Sequence, residues 1–252
     1  MGNLFDLTGK YALVVGASSG LGRQFAKALA RQGAAVAIAA RRVDKLAETK
    51  AQVEELGAKC IAVSCDVCSE ESIVKCVEEV KKEFGRIDIL CNNAGIATFG
   101  EFTETTTADW DRTFDVNLRG MYIMSREVAK VMKEQNYGRI INTASISAHG
   151  GDPVTTAYCA SKAGVVNFTR ALACSMGPYN VTVNAIGPGV FLSEITEGDI
   201  DGPMTIAYKN SVPLHRIGNE GELDGILVYF ASDASSYCTG QIIYVDGGKT
   251  AL

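Results

Sequence analysis

A tyrosine and a lysine four residues apart are the residues of this sequence best suited to proton chemistry. Tyr158 and Lys162 lie in the segment AYCASK, at residues 157–162. On a helix, residues four apart share a face, so the ammonium would lie beside the phenol. A nearby positive charge favours the phenolate form of a tyrosine, whose pKa in water is about 10. The simpler interpretation is an ordinary pair of helix neighbours, worth about 0.3 kcal/mol.

A glycine-rich segment, VVGASSGLG, could hold a phosphate-bearing ligand. In order, it contains Gly16, Ser18, Ser19, Gly20, Leu21 and Gly22. Glycines permit a tight turn and a close backbone approach to a ligand, and the start of the next helix offers unpaired N–H groups to a pyrophosphate. The segment lies between an apolar run and a helical pattern, where dinucleotide-binding turns are found. The alternative is a flexible connection between a strand and a helix.

The chain alternates apolar runs with amphipathic stretches, which predicts the elements that position these residues. Runs typical of buried strands lie at 11–15, 34–40, 60–65, 87–92, 139–144, 181–186 and 241–245. Helical patterns cover 20–32, 44–57, 70–84, about 118–135 and a stretch that ends near 176, with one more helix before 118. Buried strands alternating with helices indicate a parallel sheet covered on both faces, and right-handed crossovers make it doubly wound. We therefore expect a single α/β domain over residues 1–252 with about seven strands.

Size, charge and hydropathy exclude several classes of protein. The chain has 252 residues, of which 47% are hydrophobic and 21% charged, and its net charge is −5. This balance offers no electrostatic attraction to nucleic acid or to an anionic membrane. The N-terminus lacks a signal-peptide pattern, and no apolar run approaches the roughly 18 residues of a membrane-spanning helix. We expect a cytoplasmic protein with no nucleic-acid or membrane partner.

The eight cysteines do not form a metal-binding pattern. Cys65 and Cys68 have C-x-x-C spacing, but a zinc site needs a second pair or nearby histidines. The chain has only two histidines, His149 and His215. We therefore expect reduced thiols and no metal.

One long segment, residues 190–216, interrupts the alternation of strands and helices. It contains Gly198, Gly202, Pro203 and Pro213. A loop of this length in a compact domain often covers a binding site. We therefore expect a substrate lid here; the alternative is a surface insertion with short helices.

The motifs together resemble the short-chain dehydrogenase/reductase family. The glycine-rich turn, the NNAG segment at 92–95, the pair Tyr158 and Lys162, and VDGG at 245–248 occur in the family's order. Val15 stands where the family usually has threonine, which removes one side-chain hydrogen bond from the turn but leaves the glycine geometry intact. The resemblance extends from about residue 7 to 248. It implies a Rossmann-type fold, a nicotinamide cofactor, and interconversion of an alcohol and a ketone by hydride transfer.

The resemblance also implies roles for four catalytic residues. Tyr158 would exchange a proton with the substrate oxygen, and Ser145 would hold that oxygen by a hydrogen bond. Lys162 would bind the nicotinamide ribose and, together with the positive charge of the oxidised cofactor, lower the pKa of Tyr158. Asn117 would position a water that connects Lys162 to solvent. Taken singly, Ser145 could be a turn residue and Asn117 a buried helix amide.

The same resemblance implies a cofactor cleft beyond the glycine-rich turn. Asp66 and Val67 would lie at the adenine, and Asn93, Ala94 and Gly95 would form the floor of the cleft. Pro188, Gly189 and Thr196 would lie near the nicotinamide, beside Tyr158 and Lys162.

Two arginines indicate which dinucleotide is bound. An acidic residue after the second strand would accept hydrogen bonds from a free ribose 2′-hydroxyl. This chain has Ala40, Arg41 and Arg42 there. Guanidinium groups suit a 2′-phosphate, with Arg41 as the principal contact. We expect NADP(H) rather than NAD(H); the alternative for the arginines is a solvated helix start.

The substrate is less constrained than the chemistry. The segments AIGPGVFLSEIT and VYFASDASSYCTGQIIYVDGGK are similar to those of gluconate 5-dehydrogenase-like enzymes, which act on polyols and sugar acids. Oxoacyl-carrier-protein reductases are also similar, but 174–180 has no lysine or arginine to attract an acidic carrier. A hydroxysteroid substrate and a non-catalytic dinucleotide sensor remain alternatives. His149 either lines the substrate pocket or is a structural loop residue. By resemblance we expect a homotetramer, packed through helices at about 108–135 and 157–176.

Overall fold

Seven strands form the sheet that positions the site. The computed structural model describes residues 2–192 and 202–252, apart from the side chain of Met204. The strands are β1 Tyr11–Val15, β2 Ala35–Ala40, β3 Cys60–Ser64, β4 Ile89–Asn92, β5 Gly138–Thr143, β6 Val181–Pro188 and β7 Ile242–Val245. They pair in parallel in the order β3-β2-β1-β4-β5-β6-β7. The predicted doubly wound parallel α/β fold is confirmed.

Helices cover both faces of this sheet. They are α1 Gly20–Arg31, α2 Val43–Glu54, α3 Glu70–Phe84, α4 Thr107–Phe114, α5 Gly120–Gln135, α6 Thr156–Met176, α7 Pro203–Ser211 and α8 Asp224–Ala231. Local sequence sets several of the ends: the Ser69 side chain accepts a hydrogen bond from the N–H of Ser72 at the start of α3, and Gly85 ends that helix at φ 76°. These are the N-cap and the left-handed C-terminal glycine that helices favour.

The core has two layers because successive strand residues point to opposite faces. Val14 of β1 packs in the cluster that contains Phe25 of α1 and Phe230 of α8. Its neighbour Leu13 packs in the cluster of α3 and α5. Helix α6 closes the second face through both that cluster and a smaller one around Val165. None of the helices formed by the described residues is long and apolar enough to span a bilayer.

The segment at 190–216 contains more regular structure than the sequence pattern indicates. Phe191 forms an isolated bridge with Gly218, and α7 covers Pro203–Ser211. Thr196 and the rest of 193–201 lie outside the described residues. Helix α8 was assigned no element from sequence, because DGILVYFA is apolar on most sides and shows no helical period.

The strand order creates a crevice at the carboxyl ends of β1 and β4. Strands β2 and β3 continue the sheet on one side of β1, and β4 to β7 continue it on the other. The connections after β1 and β4 therefore leave in opposite directions. In parallel α/β sheets, ligands bind at this switch point. The glycine-rich turn follows β1, and the NNAG segment follows β4.

Candidate active site at the carboxyl edge of the sheet

The glycine-rich turn is packed directly against the NNAG segment. Gly16 and Gly20 have φ values of +80° and +52°, which favour glycine. A Cβ atom on Gly16 would lie 2.7 Å from Cα of Ala94, and one on Gly22 would lie 2.1 Å from the carbonyl oxygen of Gly16. The Asn93 amide donates a hydrogen bond to that oxygen at 3.3 Å. The glycines are thus required by the close approach of two backbones.

The N-terminus of α1 is open toward the crevice. Ser19 precedes the helix in an extended conformation, its side chain makes no capping hydrogen bond, and the first turn carries no acidic residue. The N–H groups of the first turn have no partner within the helix, and the helix dipole adds a partial positive charge. This arrangement suits a phosphate group.

An arginine lies over the serines of the turn. The Arg42 guanidinium donates hydrogen bonds to the hydroxyl of Ser18 at 3.1 Å and to that of Ser19 at 2.6 Å. Arg41 is exposed and lies near Cys68, whose pKa it tends to lower against the stronger effect of burial. Sequence alone favoured Arg41 as the phosphate contact; in the structure it is Arg42 that borders the turn.

Asp66 and Val67 follow β3 on the same edge of the sheet. The Asp66 carboxylate accepts a hydrogen bond from the N–H of Cys68 at 3.0 Å, and its own N–H donates to the hydroxyl of Ser72 at 2.9 Å. A Cβ atom on Gly120 would lie 2.5 Å from the carbonyl oxygen of Val67. Because Gly120 has no side chain, the Val67 backbone can approach the start of α5.

The NNAG segment also reaches the predicted catalytic residues. The hydroxyl of Thr143 donates to the Asn93 side chain at 3.3 Å. A Cβ atom on Gly95 would lie 3.4 Å from Oδ1 of Asn117 and 3.5 Å from Nζ of Lys162. The floor of the crevice and two catalytic candidates therefore lie close together.

Asn117 lies in a π-helical turn, Asp115–Arg119, between α4 and α5. It is fully buried; its Oδ1 accepts from the N–H of Ile96 at 2.8 Å, and its Nδ2 donates to the carbonyl of Ile96 and the hydroxyl of Ser161. The amide thereby ties the loop after β4 to α6. Single π turns within helices are frequent at functional sites, and sequence periodicity did not reveal this one.

Ser145 and Tyr158 come together across the loop after β5. Ser145 is buried, and its Oγ accepts a hydrogen bond from the N–H of Ser147 at 3.1 Å. Tyr158 is half-buried in the first turn of α6. The hydroxyl of Ser145 lies near its phenol, and this interaction tends to lower the pKa of Tyr158. Two neighbouring hydroxyl groups of this kind can both form hydrogen bonds with the same substrate oxygen.

Lys162 is buried one helical turn further along α6. Its side chain is 2% exposed, and Nζ donates to the carbonyl oxygen of Thr143 at 2.7 Å. The same Nζ lies 5.6 Å from the centroid of the Tyr158 ring. Burial lowers the pKa of Lys162 to about 8.

Within the protein chain itself the pKa of Tyr158 is raised, and the lowering expected together with an oxidised cofactor stays a prediction. Burial raises the pKa of Tyr158, and the nearby Ser145 side chain opposes this only in part. The physical reason is that burial disfavours both charged forms, the phenolate and the ammonium. With a pKa of about 8, Lys162 is also a weaker source of positive charge than a solvated lysine.

Pro188 and Gly189 lie at the end of β6, under α7. A Cβ atom on Gly189 would lie 2.3 Å from the hydroxyl of Tyr208 and 2.9 Å from Cα of Asp246. Tyr208, in α7, donates to the carbonyl oxygen of Asp246 at 3.2 Å. Helix α7 is thereby held over this turn. The contact predicted for Thr196 lies outside the described residues.

The remaining candidate ligands do not gather into a metal site. Among residues 2–192 and 202–252, no group of three or more His, Cys, Asp or Glu side chains could hold a metal ion. All eight cysteines, including Cys65 and Cys68, are free thiols.

The crevice fits a dinucleotide. The start of α1 presents unpaired N–H groups, and Arg42 lies beside them over Ser18 and Ser19. At the other end, Lys162 lies near Gly95, and Tyr158 lies near Lys162. The glycine-rich turn, Asn93 to Gly95, Pro188 and Gly189 would hold such a cofactor.

Sequence comparisons agree with this geometry. The family model described as Enoyl-(Acyl carrier protein) reductase matches residues 16–250. D-threitol dehydrogenase of Mycolicibacterium smegmatis is 40% identical over 250 residues, which covers 98% of this chain and 95% of the relative. Gluconate 5-dehydrogenase of Gluconobacter oxydans is 34% identical over 249 residues, which covers 98% and 97%.

Solved structures are similar over the whole chain. A short-chain type dehydrogenase/reductase from Mycobacterium marinum has a TM-score of 0.95 at 37% identity, covering 99% of this chain and 98% of the other. NAD+-bound xylitol dehydrogenase has a TM-score of 0.92 at 33% identity, covering 96% and 99%. A structure from Agrobacterium tumefaciens with bound NADP has a TM-score of 0.91 at 32% identity, covering all of both chains. The chain therefore belongs to the short-chain dehydrogenase/reductase family of oxidoreductases.

Proposed function

We propose that this protein interconverts a secondary alcohol and a ketone, with NADP(H) as cofactor and a polyol or sugar acid as substrate. The observation that carries the proposal is the convergence of Ser145, Tyr158 and Lys162 on the crevice beside Gly95. The substrate class is supported by relatives named for threitol, gluconate and xylitol.

The residues divide the work of proton transfer. A bound nicotinamide dinucleotide would accept or supply the hydride. Tyr158 removes the alcohol proton or donates one to a carbonyl oxygen, and Ser145 holds that oxygen through a hydrogen bond. Lys162, one helical turn after Tyr158, binds the nicotinamide ribose and resupplies the proton that Tyr158 gives up. We propose that Asn117 holds the water that links Lys162 to solvent.

Turnover of a substrate panel tests this proposal. Purified protein is mixed with NADP+ and D-threitol, xylitol or D-gluconate, and in reverse with NADPH and a 3-oxoacyl thioester or a 3-ketosteroid, while absorbance of the reduced cofactor is followed. We expect turnover of a polyol or sugar acid, and a loss of at least about a hundredfold in Tyr158→Phe with cofactor binding retained. Preference for the thioester or the steroid would assign the protein to that substrate class instead. Cofactor binding without turnover would favour a sensor.

The choice of NADP(H) depends on Arg41 and Arg42. Both follow β2, where an acidic residue would instead hold a free 2′-hydroxyl, and Arg42 already lies over Ser18 and Ser19. Because the related structures include one with NADP and one with NAD+, the preference has to be measured on this chain.

Substitution of each arginine measures that preference. Arg41→Ala is expected to raise the KM for NADPH about tenfold or more and to change the KM for NADH by less than about twofold, because hydrogen bonds to charged groups contribute about 1.5–3 kcal/mol. Arg42→Ala tests whether the arginine that lies over the turn also contacts the 2′-phosphate. An unchanged ratio of the two KM values in both variants would contradict the assignment.

Assembly, location and the lid are further parts of the proposal. We propose a cytoplasmic homotetramer in which α4, α5 and α6 meet partner subunits. The exposed rings of Trp110 and Tyr122, 42% and 48% accessible, support this because they lie on that face. Residues 190–216 would cover the substrate. Sedimentation at monomer mass in micromolar protein would contradict the assembly.

A further inference from the structure

His149 is held in a fixed place four residues after Ser145. A short 3-10 turn, Ile146–Ala148, connects them, and the N–H of His149 donates to the carbonyl of Ile146 at 2.9 Å. The Ser145 hydroxyl supports the same turn through the N–H of Ser147. The histidine backbone therefore moves with the residue that holds the substrate oxygen.

A tyrosine from the last strand fixes the His149 ring. The imidazole meets the ring of Tyr244 edge-on, with centroids 5.6 Å apart and an interplanar angle of 66°. Tyr244 in turn lies across Gly187, its partner in the β6–β7 register, where a Cβ atom would come within 2.3 Å of the ring. Gly187 directly precedes Pro188 and Gly189. The imidazole thus packs on Tyr244, which lies over the residue that leads into the Pro188–Gly189 turn.

The His149 ring is oriented by packing while its nitrogens stay available. The residue is exposed, and neither ring nitrogen has a hydrogen-bond partner within the part of the chain that the structure describes. A neutral imidazole offers one donor and one acceptor. One hydroxyl group, or two on neighbouring carbons, can satisfy both.

We propose that His149 is a specificity-determining residue that hydrogen-bonds a second hydroxyl of the substrate, with Tyr244 as its positioning residue. The inference rests on the proposed function and assigns a residue to its substrate specificity: compounds with several hydroxyls are favoured over alcohols that carry only the reacting one. Ser145 and Tyr158 hold the reacting oxygen, and His149 forms a hydrogen bond with a second hydroxyl group of the substrate.

A matched pair of substrates tests the role of His149. D-threitol and 2-butanol share a four-carbon chain, but only threitol carries further hydroxyls; xylitol or D-gluconate replaces threitol if wild type oxidises it faster. His149→Phe keeps the edge contact with Tyr244 and loses both nitrogens. We expect the kcat/KM ratio of polyol to 2-butanol to fall roughly threefold to tenfold, mainly through KM, as for one lost neutral hydrogen bond. His149→Asn should restore part of the ratio.

The role of Tyr244 and the controls complete the experiment. Tyr244→Ala should reduce the ratio as His149→Phe does, whereas Tyr244→Phe, which retains the ring, should keep it. Glu55→Gln, at the far end of α2, serves as the matched exposed control. A ratio unchanged in His149→Phe would overturn the inference while leaving the proposed function intact. Wild type that oxidises 2-butanol as well as the polyol would overturn it too, and wild type with no turnover at all would overturn both.

Discussion

Burial decides the resting charge of the two residues that we propose exchange protons. The pKa of Tyr158 is raised and that of Lys162 is lowered, in each case with burial as the largest cause. At neutral pH the phenol therefore keeps its proton. Under the proposed mechanism the protonated phenol is the form that donates to a carbonyl oxygen in reduction, and an added positive charge nearby would favour the phenolate that oxidation needs.

The lowered pKa of Lys162 predicts how stability depends on pH. The folded value is about 8 and the ordinary value 10.5, so between these the unfolded chain binds more protons than the folded one. The free energy of unfolding then rises with pH in this window, because the cost of burying the ammonium is fully present below pH 8 and is relieved as pH rises. We expect wild type to gain about 2–3 kcal/mol relative to Lys162→Met between pH 7 and pH 10.

Urea unfolding of the cofactor-free proteins at the two pH values measures this difference. Groups that titrate equally in both proteins cancel. Lys82→Met, at an exposed position of α3, is the control and should show no such gain. A difference between wild type and Lys162→Met that stays constant with pH would show that the buried amine does not titrate there.

Sequence predicted which candidate catalytic residues come together but not their charge states. Tyr158, Lys162 and Ser145 were found from their types and spacing, and the structure brings all three together. The direction of the Tyr158 pKa could not be predicted, because it depends on how deeply α6 buries the ring. The contacts of Arg42 with Ser18 and Ser19 likewise depend on side-chain directions after a turn, which spacing does not encode.

The strands and helices with a regular apolar pattern were predicted from sequence periodicity. All seven strands were found within two residues of their ends, because buried parallel strands are continuous apolar runs between turns. The π turn at Asp115–Arg119 and helix α8 were missed. The first is a local departure from the helical period, and the second has too few polar residues to show one. Helix α7 was missed because glycine and proline surround it.

The packing of α1 against the turn predicts the effect of one added methyl group. In Gly22→Ala, the new Cβ would meet the Gly16 carbonyl oxygen at 2.1 Å, and both atoms belong to backbone that cannot easily move apart. We expect the free energy of unfolding to fall by about 1–3 kcal/mol or more, and cofactor affinity to fall at least tenfold as the turn opens.

Gly225→Ala is the matched control for this substitution. Gly225 lies within α8, and nothing lies within 4 Å of its added Cβ. It should raise the free energy of unfolding by about 0.5–1 kcal/mol and leave cofactor binding unchanged. Calorimetry or denaturant unfolding, together with titration of NADPH, measures both quantities. Wild-type stability and affinity in Gly22→Ala would contradict the packing described for the turn.

At the scale of the whole molecule, charge predicts a preference between neutral and anionic substrates. The net charge is −5, and exposed Glu101, Glu104 and Asp152 lie on the two loops that flank the site. A hydrogen bond from Gly100 to the carbonyl of Val154, at 3.0 Å, joins these loops. A carboxylate about 8 Å away in water repels an anion by about 0.5 kcal/mol, or roughly twofold in KM.

Xylitol and its aldonate, xylonate, differ only by a terminal carboxylate and provide the measurement. We expect the ratio of the xylonate KM to the xylitol KM to fall roughly threefold as salt rises from about 10 mM to about 300 mM, because salt screens exposed charges. The double variant Glu101→Gln, Asp152→Asn should show a smaller salt effect. A ratio independent of salt in wild type would mean that these carboxylates do not act on the substrate.

The strand order also constrains how the chain is made. Strand β1 lies inside the finished sheet, between β2 and β4, yet the chain forms β2 and β3 first and returns to the other side of β1 only at Ile89–Asn92. While the chain emerges from the ribosome, one edge of β1 is therefore unpaired, and strands of other nascent chains can pair with it. Until β4 is synthesised, the backbone N–H and C=O groups on that side of β1 have no partner strand.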